Sequence, residues 1–266
     1  MSRPQGALFG LKVLGGKDTL QEARHYLRWK RKFAPRLKAF KDKHQGEDCF
    51  IIGNGPSLNK MDLSPLANFY TFGLNKIYLI FEKVELDLSY LVSVNKFVIE
   101  QSRQHYVDLG IPTFLSYTDS VGVVEDHPHI HRLHTLNTWS FYEDIAQPIC
   151  AGNTVTYVAM QIAYYMGFKR VFLIGVDHSF KQQGNPHDVQ VYKGDDENHF
   201  HPDYFKGMQW QLADVYGSEV SYHLANYHFI QDDRQILDAT VGGQLQVFPK
   251  ISYEQALEAA KPKRVG

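Results

Sequence analysis

The stretch Cys49-Phe50-Ile51-Ile52-Gly53-Asn54-Gly55-Pro56-Ser57-Leu58 decides the fold. Its apolar first half is typical of a short strand that is buried on both faces of a sheet. Gly53 and Gly55 then remove Cβ atoms where the backbone turns sharply or approaches a ligand. Open α/β sheets build nucleotide sites from such a strand, a glycine-rich turn and polar side chains. The same residues also suit a tight turn that binds nothing.

Two common phosphate-binding motifs do not fit this stretch. No Gly-Lys-Ser/Thr follows it, so it is not a P-loop. Pro56 stands where the dinucleotide fingerprint would continue into a helix. Ser57 remains available to cap a helix or to donate to an anion. We therefore predict a nucleotide site of another kind, with binding residues Gly53, Asn54, Gly55 and Ser57.

The composition is that of an ordinary globular protein with one large α/β domain or two small ones. The chain has 266 residues, of which 44% are hydrophobic and 21% charged, and its net charge of −1 gives no argument for nucleic acid. Cys49 and Cys150 form neither a disulfide framework nor a zinc cluster. No run of about 18 apolar residues and no N-terminal signal core is present. We expect a cytoplasmic protein, and the sequence leaves open whether it forms an oligomer.

A basic helical extension, residues 1–45, precedes the first strand. Residues 24–43 hold nine Lys or Arg and one acid, and Pro35 is expected to break the helix. The apolar stripe is formed by Tyr26, Leu27, Trp29, Phe33, Leu37 and Phe40. Such a helix suits peripheral contact with the anionic inner face of a membrane. Alternatively the helix packs on the main domain and leaves its basic face exposed to solvent. In either case residues 1 to about 20 are expected to be loosely held.

Two further strand-like runs also end in asparagine. Residues 69–75 end at Asn75, and residues 87–95 end at Asn95. Because the carboxyl ends of parallel strands meet at one edge of a sheet, both side chains and Asn54 are predicted to line one pocket. Asparagine at a strand end also closes turns without binding anything.

Residues 151–177 are predicted to form a helix and a strand, which contribute to the same carboxyl edge of the sheet. Gly152, Asn153 and Thr154 open the helix, and their free backbone N–H groups suit a phosphate, although ordinary capping needs only one such residue. The strand at 169–177 ends in Asp177. Elsewhere we predict helices at 98–107, 206–216 and 252–261, and strands at 112–116, at 221–224 and near the end of 239–249.

Histidines cluster in two places. His127, His129 and His131 are spaced as in some metal sites, but no Cys or acid completes the set, which favours a strand with solvated histidines. The polar segment at about 178–206 is predicted to be a lid, and it delivers His199, His201, Asp203 and Tyr204. A histidine on a lid over a nucleotide site is a candidate general base, and an ordinary surface turn is the alternative.

The motifs together resemble those of the bacterial CMP-sialic-acid-dependent sialyltransferases. They are more similar still to the MptE-like polysaccharide-cluster proteins, named after the archaeal 6-hydroxymethyldihydropterin pyrophosphokinase. The resemblance covers about residues 47–250. It is carried by residues 51–58, Asn75, Asn95, the helix at Thr154, residues 167–169 and 174–177, the His-Phe-x-Pro-x-Tyr-Phe stretch at 199–205 and the Ala-Thr-Val-Gly-Gly stretch that begins at 239.

The resemblance implies a Rossmann-like, mostly parallel sheet flanked by helices. Residues 46–250 would form the catalytic domain, and residues 251–266 a C-terminal helix and tail. By analogy, Asn54, Ser57, Asn75, Asn95 and Thr154 contact the CMP donor. The catalytic histidine aligns near His199, His201 or Asp203. Of the two lid tyrosines that bind the donor phosphate, the first aligns near Ser179 here, and Tyr192 is the only candidate for the second.

These implications define three functional hypotheses. The first is a glycosyltransferase that moves sialic acid or a related acidic sugar from a CMP donor to a glycan or glycolipid. This reaction needs no cofactor and no metal ion. In agreement, the sequence lacks the Asp-x-Asp motif with which metal-dependent sugar transferases hold their ion. The second is a diphosphotransferase that uses ATP and Mg²⁺ on a pterin and recruits Asp177 and Asp195. The third is a nucleotide sensor without catalysis.

Overall fold

A parallel β-sheet forms the centre of this computed structural model, which describes residues 17–191 and 194–264. The strands are β1 (Asp48–Ile52), β2 (Tyr70–Leu74), β3 (Tyr90–Ser93), β4 (Thr113–Ser116), β5 (Ile130–Leu133), β6 (Thr135–Leu136), β7 (Ile149–Cys150), β8 (Arg170–Ile174), β9 (Val189–Val191), β10 (Gln209–Gln211) and β11 (Gln235–Asp238). Seven of them form one sheet in the order β11-β8-β1-β2-β3-β4-β5, and every neighbouring pair is parallel. The predicted Rossmann-like α/β fold is confirmed.

Helices cover both faces of this sheet. They are α1 (Lys17–Lys32), α2 (Ala34–Leu37), α3 (Lys96–Asp108), α4 (Tyr117–Ser120), α5 (Val155–Tyr165), α6 (Val215–Gln231) and α7 (Tyr253–Ala259). Short 3₁₀ turns lie at Lys38–Phe40, Pro56–Lys60, Ser64–Asn68 and Ile77–Glu82. None of the helices that the structure describes combines the length and the apolar character that crossing a bilayer requires.

The apolar run of β1 is buried on both sides because successive side chains point to opposite faces. Cys49 and Ile51 belong to one core, which also holds side chains of α1, α5 and α6. Phe50 and Ile52 belong to the other core, which holds side chains of α3 and α7. Burial on both faces is the reason why the strand reads as a continuous apolar run.

The order of the strands reverses at β1. The chain first builds β1 to β5 toward one side and then returns to place β8 and β11 on the other side. In open α/β sheets the crevice at such a reversal is where ligands bind. Ile52 is in register with Ile174, so the turns that follow β1 and β8 meet at this point.

The N-terminal helices pack on the main domain, as one of the two interpretations predicts. Trp29 is fully buried, and its Nε1–H donates to the carbonyl of Arg132 at 2.8 Å. Phe33, Leu37 and Phe40 are buried in the same core. These apolar side chains are therefore not available to a membrane, and contact through the basic face stays a prediction. The first 16 residues, expected to be loosely held, lie outside the described residues.

The predictions near the C-terminus are partly wrong. Residues 215–231 form α6, whereas the sequence predicts a helix at 206–216 and a strand at 221–224. Exposed Tyr216 and Tyr227 and buried Tyr222 show that apolar side chains lie on several sides of α6, so no helical stripe reveals it. The last sheet strand is β11, which precedes the predicted one at the end of 239–249.

The histidine-rich segment contains a strand, as predicted, but its central histidine is not solvated. His131 lies on β5 with 8% of its surface exposed, packed against Phe40 and Phe114. His127 and His129 are half-buried. In the described part of the chain, no group of three or more His, Cys, Asp or Glu side chains is arranged to hold a metal ion.

Protonation of His131 is expected to destabilise the protein at acidic pH. Burial, together with the nearby charges of Arg36, His129 and Lys43, lowers the pKa of His131 to about 4. Since an unfolded histidine has a pKa of about 6.5, the unfolded chain takes up the proton first as the pH falls. The free energy of unfolding should therefore drop between pH 6.5 and 4, by at most about 1.4 kcal/mol per pH unit from this group.

Urea unfolding at several pH values between 7 and 4 measures this effect. The His131→Gln variant should lose stability less steeply than the wild type over that interval. The His223→Gln variant is the matched control, because His223 is exposed on α6. If the free energy of unfolding falls equally steeply with pH in wild type and His131→Gln, the buried imidazole is not the cause of the loss of stability in acid.

Candidate active site

A cavity of about 720 Å³ opens at the carboxyl edge of the sheet, where β1 and β8 lie side by side. This volume falls within the range of roughly 300–1,000 Å³ that small-molecule sites occupy. Amide side chains are prominent in its wall. The asparagines that line it are Asn54, Asn75, Asn95, Asn137, Asn153 and Asn198. The three strand-end asparagines singled out in the sequence thus lie around one cavity.

These three side chains differ in what already binds them. The Oδ1 of Asn95 accepts from two backbone N–H groups at the start of α3, at 3.0 and 3.3 Å, and so caps the helix. The Oδ1 of Asn75 accepts from Ser93 Oγ at 3.1 Å. Asn54 is 9% exposed, and its buried Oδ1 has no hydrogen-bond partner among the described residues. Asn54 is therefore the one of the three whose oxygen is left for a ligand.

The glycines after β1 are required by the neighbouring strand. The N–H of Gly53 donates to the carbonyl of Ile174 at 2.8 Å, and that of Gly55 donates to the carbonyl of Gly175 at 2.9 Å. A Cβ on Gly53 would overlap the Gly175 carbonyl, and one on Gly55 would overlap the carboxylate of Asp177. Both glycines line the cavity. The close contact between the turns after β1 and β8 is enough to require glycine at these positions, even without a ligand.

Ser57 supports the site from behind. It is buried outside the cavity wall, and its Oγ donates to Asp177 Oδ2 at 2.6 Å while its N–H donates to Oδ1 at 3.1 Å. Burial raises the pKa of Asp177, and the hydrogen bonds from Ser57 oppose this shift. The predicted direct contact between Ser57 and the donor does not fit this geometry; Ser57 orients Asp177, which does line the cavity.

The start of α5 forms another part of the wall. Thr154 caps the helix by accepting from the N–H of Thr156 at 3.3 Å, and its Oγ1 lies 3.4 Å from the hydroxyl of Tyr222. Thr154 and Asn153 line the cavity. Gly152 is buried behind them, with φ +60°, where a Cβ would overlap the ring of Tyr157.

His199 is the base candidate that faces the cavity. Its Nδ1 lies 2.8 Å from Oδ2 of Asp196, whose side chain is fully buried. Its ring stacks on Tyr204 with 4.0 Å between centroids and 2° between planes. Tyr204 is itself buried below the wall, so it positions the imidazole rather than contacting the ligand. A carboxylate on Nδ1 leaves Nε2 as the proton acceptor.

The other two candidates lie outside the wall. His201 Nε2 is 3.5 Å from Glu82, its Nδ1 accepts from the N–H of Asp203, and Asp203 is exposed. The segment predicted to be a lid is tied to the turn after β1, because the N–H of Phe200 donates to the carbonyl of Asn54 at 2.9 Å. Phe200, Tyr204 and Phe205 of this segment belong to the second core. Tyr192, named as a candidate for phosphate binding, lies outside the described residues.

A buried amine lies below the stacked His199 and Tyr204 rings. Lys76 is 3% exposed, and its Nζ donates to the carbonyl of Tyr204 at 2.8 Å. Burial lowers the pKa of Lys76 to about 8, and the negative charge of Asp196 opposes the shift. Lys76 therefore places positive charge near the carboxylate that holds His199.

Sequence reasoning missed two histidines of the wall. His178 Nε2 lies 3.0 Å from Glu219 Oε1, and His187 Nε2 lies 3.4 Å from Asp214 Oδ2. His178 directly follows the predicted strand at 169–177, so the argument that selected Asn75 and Asn95 also applies to it. Its partner Glu219 could not be placed, because α6 was not recognised.

Strained backbone is concentrated at the cavity. Of the six described non-glycine residues with positive φ, four line it. They are Asn75, Asn153, His178 and His187. This region costs most non-glycine residues of order 1–3 kcal/mol and asparagine less, and residues held in it cluster at functional sites. This concentration supports the cavity as the functional site of the protein.

The charged side chains of the wall are few. Asp119, Asp177 and Asp214 line it together with Lys96, whose side chain is largely exposed. Among the described wall residues there is no arginine. Amides, imidazoles and backbone N–H groups are therefore the groups available to bind a polar ligand here.

The fold and the cavity define a Rossmann-like α/β protein with its site at the strand reversal. Within this class, residues 18–183 match the family described as "MptE-like: 6-hydroxymethylpterin diphosphokinase MptE-like". Because the match spans more than half of the chain, the protein belongs to the MptE-like family.

Among solved structures, the MAf glycosyltransferase from Magnetospirillum magneticum AMB-1 has a similar fold, with a TM-score of 0.50 and 10% sequence identity. The alignment covers 94% of this chain and 43% of that protein, so the chain spans less than half of its length. No curated protein sequence matches the chain.

Proposed function

We propose that this protein is a glycosyltransferase that moves sialic acid or a related acidic sugar from a CMP donor to a glycan or glycolipid. The observation that carries the proposal is the pair His199–Asp196, which faces a cavity lined by the strand-end asparagines. The general base can take the proton of an acceptor hydroxyl, and the amide groups can orient a nucleotide in the same cavity.

The donor is expected to lie along the strand edge. The Oδ1 of Asn54, which has no hydrogen-bond partner in the described part of the chain, suits an N–H or O–H group of the nucleotide. The start of α5 offers backbone N–H groups to the phosphate, and a helix N-terminus favours negative charge. Because CMP leaves as a phosphate monoester, its charge can be stabilised by hydrogen bonds without a metal ion.

The transfer step is a displacement at the anomeric carbon of the donor sugar. The oxygen of the acceptor hydroxyl forms the new bond, and its proton passes to Nε2 of His199. The bond between the anomeric carbon and the phosphate oxygen breaks, and its electron pair stays on CMP. Asp196 holds the imidazole by its Nδ1 and stabilises the imidazolium that forms.

A diphosphotransferase is the second candidate, because the family description names a diphosphokinase. The wall carboxylates Asp119, Asp177 and Asp214 are the ligand type that Mg²⁺ prefers. Asp195, which the sequence suggested as a further ligand, instead pairs with Lys206 at 2.9 Å and lies outside the wall.

Thermal unfolding with CMP, UDP, GDP and ATP, each with and without Mg²⁺, tests the proposal. CMP alone should stabilise the protein, by about 2.7 kcal/mol when its free concentration is 100-fold above Kd. Stabilisation by ATP only in the presence of Mg²⁺ would overturn the proposal in favour of the diphosphotransferase. CMP binding without release of CMP from CMP-sialic acid in the presence of glycan acceptors would favour the nucleotide sensor.

A further inference from the structure

The cavity holds a second histidine that is fixed by a carboxylate. The His178 side chain is 6% exposed, and its Nε2 lies 3.0 Å from Oε1 of Glu219 on α6. Among the described residues, none forms a hydrogen bond with its Nδ1. One ring nitrogen is thus held by Glu219, while the other remains for a ligand in the cavity that His178 lines.

His178 lies beside the start of α5. Its ring is 6.0 Å from the ring of Tyr222, and the Tyr222 hydroxyl is 3.4 Å from Oγ1 of Thr154, the cap of α5. His178 and the start of α5 therefore both adjoin Tyr222, and all three line the cavity. Backbone N–H groups donate hydrogen bonds to anions, and an imidazole held by a carboxylate on one nitrogen does so from the other nitrogen when it is doubly protonated.

The backbone at His178 is held in an unfavourable conformation. Its φ of +54° is in the left-handed region, which is uncommon for residues other than glycine, although Asn, Asp and His enter it more often than the rest. Histidine is therefore tolerated at this position but gains no stability from the conformation itself. A side chain that contacts the ligand accounts for both the strain and the buried, carboxylate-held ring.

We propose that His178, held by Glu219, donates a hydrogen bond from Nδ1 to the phosphate of the nucleotide donor. This inference rests on the proposed function and adds the residue that stabilises the leaving group. In this role the ring carries both protons: Glu219 accepts the one on Nε2, and the phosphate oxygen accepts a hydrogen bond from the one on Nδ1. The proton stays on His178 while the electron pair of the broken bond moves to the phosphate.

This arrangement assigns different tasks to two histidines of one cavity. His199 takes the proton of the acceptor hydroxyl, and His178 stabilises the charge that develops on the departing phosphate. The described wall contains no arginine, and its one lysine, Lys96, is largely exposed, so protonated His178 supplies the buried charged donor at this position. A purely structural role, in which Glu219 and His178 only tie α6 to the turn after β8, makes a different prediction for ligand binding.

Isothermal titration with CMP and with cytidine separates these roles. Asparagine tolerates a positive φ, so His178→Asn is the variant that best preserves the backbone. It should weaken CMP binding about tenfold or more, because a hydrogen bond to a charged group is lost, and leave cytidine binding within about twofold. Glu219→Gln should weaken CMP binding in the same direction by a smaller factor. His223→Asn, on the exposed face of α6, should leave both affinities unchanged.

The outcomes distinguish this inference from the proposed function. If wild type binds CMP and His178→Asn binds CMP and cytidine with unchanged or equally reduced affinity, the phosphate role is overturned and the donor assignment stands. If wild type does not bind CMP, the donor assignment fails, and this inference fails with it. Should His178→Asn not fold, Glu219→Gln decides, since the Glu219 side chain is 44% exposed and its loss spares the core.

Discussion

Replacing His199 with alanine is expected to lower kcat for sugar transfer by a factor of about 10²–10⁴. The reason is that the variant removes the only one of the three lid candidates that faces the cavity. CMP affinity should stay within about twofold, because the strand-end asparagines and the start of α5 are unchanged. Release of CMP from CMP-sialic acid in the presence of an acceptor measures the rate, and titration with CMP measures the affinity.

His201→Ala is the matched control for this experiment. His201 lies two residues further along the same segment but outside the cavity wall, 3.5 Å from Glu82. Its variant should keep kcat within about twofold of wild type, since general-base catalysis needs contact with the reacting hydroxyl. If His201→Ala loses the activity and His199→Ala keeps it, the assignment of the base is wrong.

Gly53→Ala is expected to lower the free energy of unfolding by more than about 3 kcal/mol, the upper end of ordinary overpacking costs. The new Cβ would overlap the carbonyl group of Gly175, which is backbone and cannot rotate away. The hydrogen bond from the N–H of Gly53 to Ile174 holds the two turns together, so separating them costs pairing between β1 and β8.

Gly242→Ala provides the comparison. No heavy atom lies within 4 Å of the position of its Cβ, but its φ is +70°. It should cost only the strain of a left-handed alanine, about 1–2 kcal/mol. Urea unfolding of both variants measures the difference. If Gly53→Ala is no less stable than Gly242→Ala, the turns after β1 and β8 are not packed as closely as described.

The sheet and part of the site could be predicted because they follow from local patterns. β1 and β8 are continuous apolar runs, as expected of strands buried on both faces, and α5 has clear helical spacing. Parallel strands bring their carboxyl ends to one edge. The convergence of Asn54, Asn75 and Asn95 therefore needed only the correct strand assignment.

What could not be predicted depends on contacts between distant parts of the chain. His178 meets Glu219 across 41 residues, and Ser57 meets Asp177 across 120 residues. Neither pair can be found without the positions of α6 and β8. The stripe that contains Trp29 has the same spacing whether it enters a core or a membrane, and only its burial decides between them.

A crystal structure of the protein with CMP tests the central claim most directly, namely that the strand-end amides and the start of α5 form one nucleotide site. The account predicts the nucleotide in the cavity in contact with Asn54, with its phosphate between the N-terminus of α5 and the imidazole of His178. CMP bound elsewhere on the molecule, or a nucleotide in this cavity whose phosphate points away from Thr154 and His178, would contradict it.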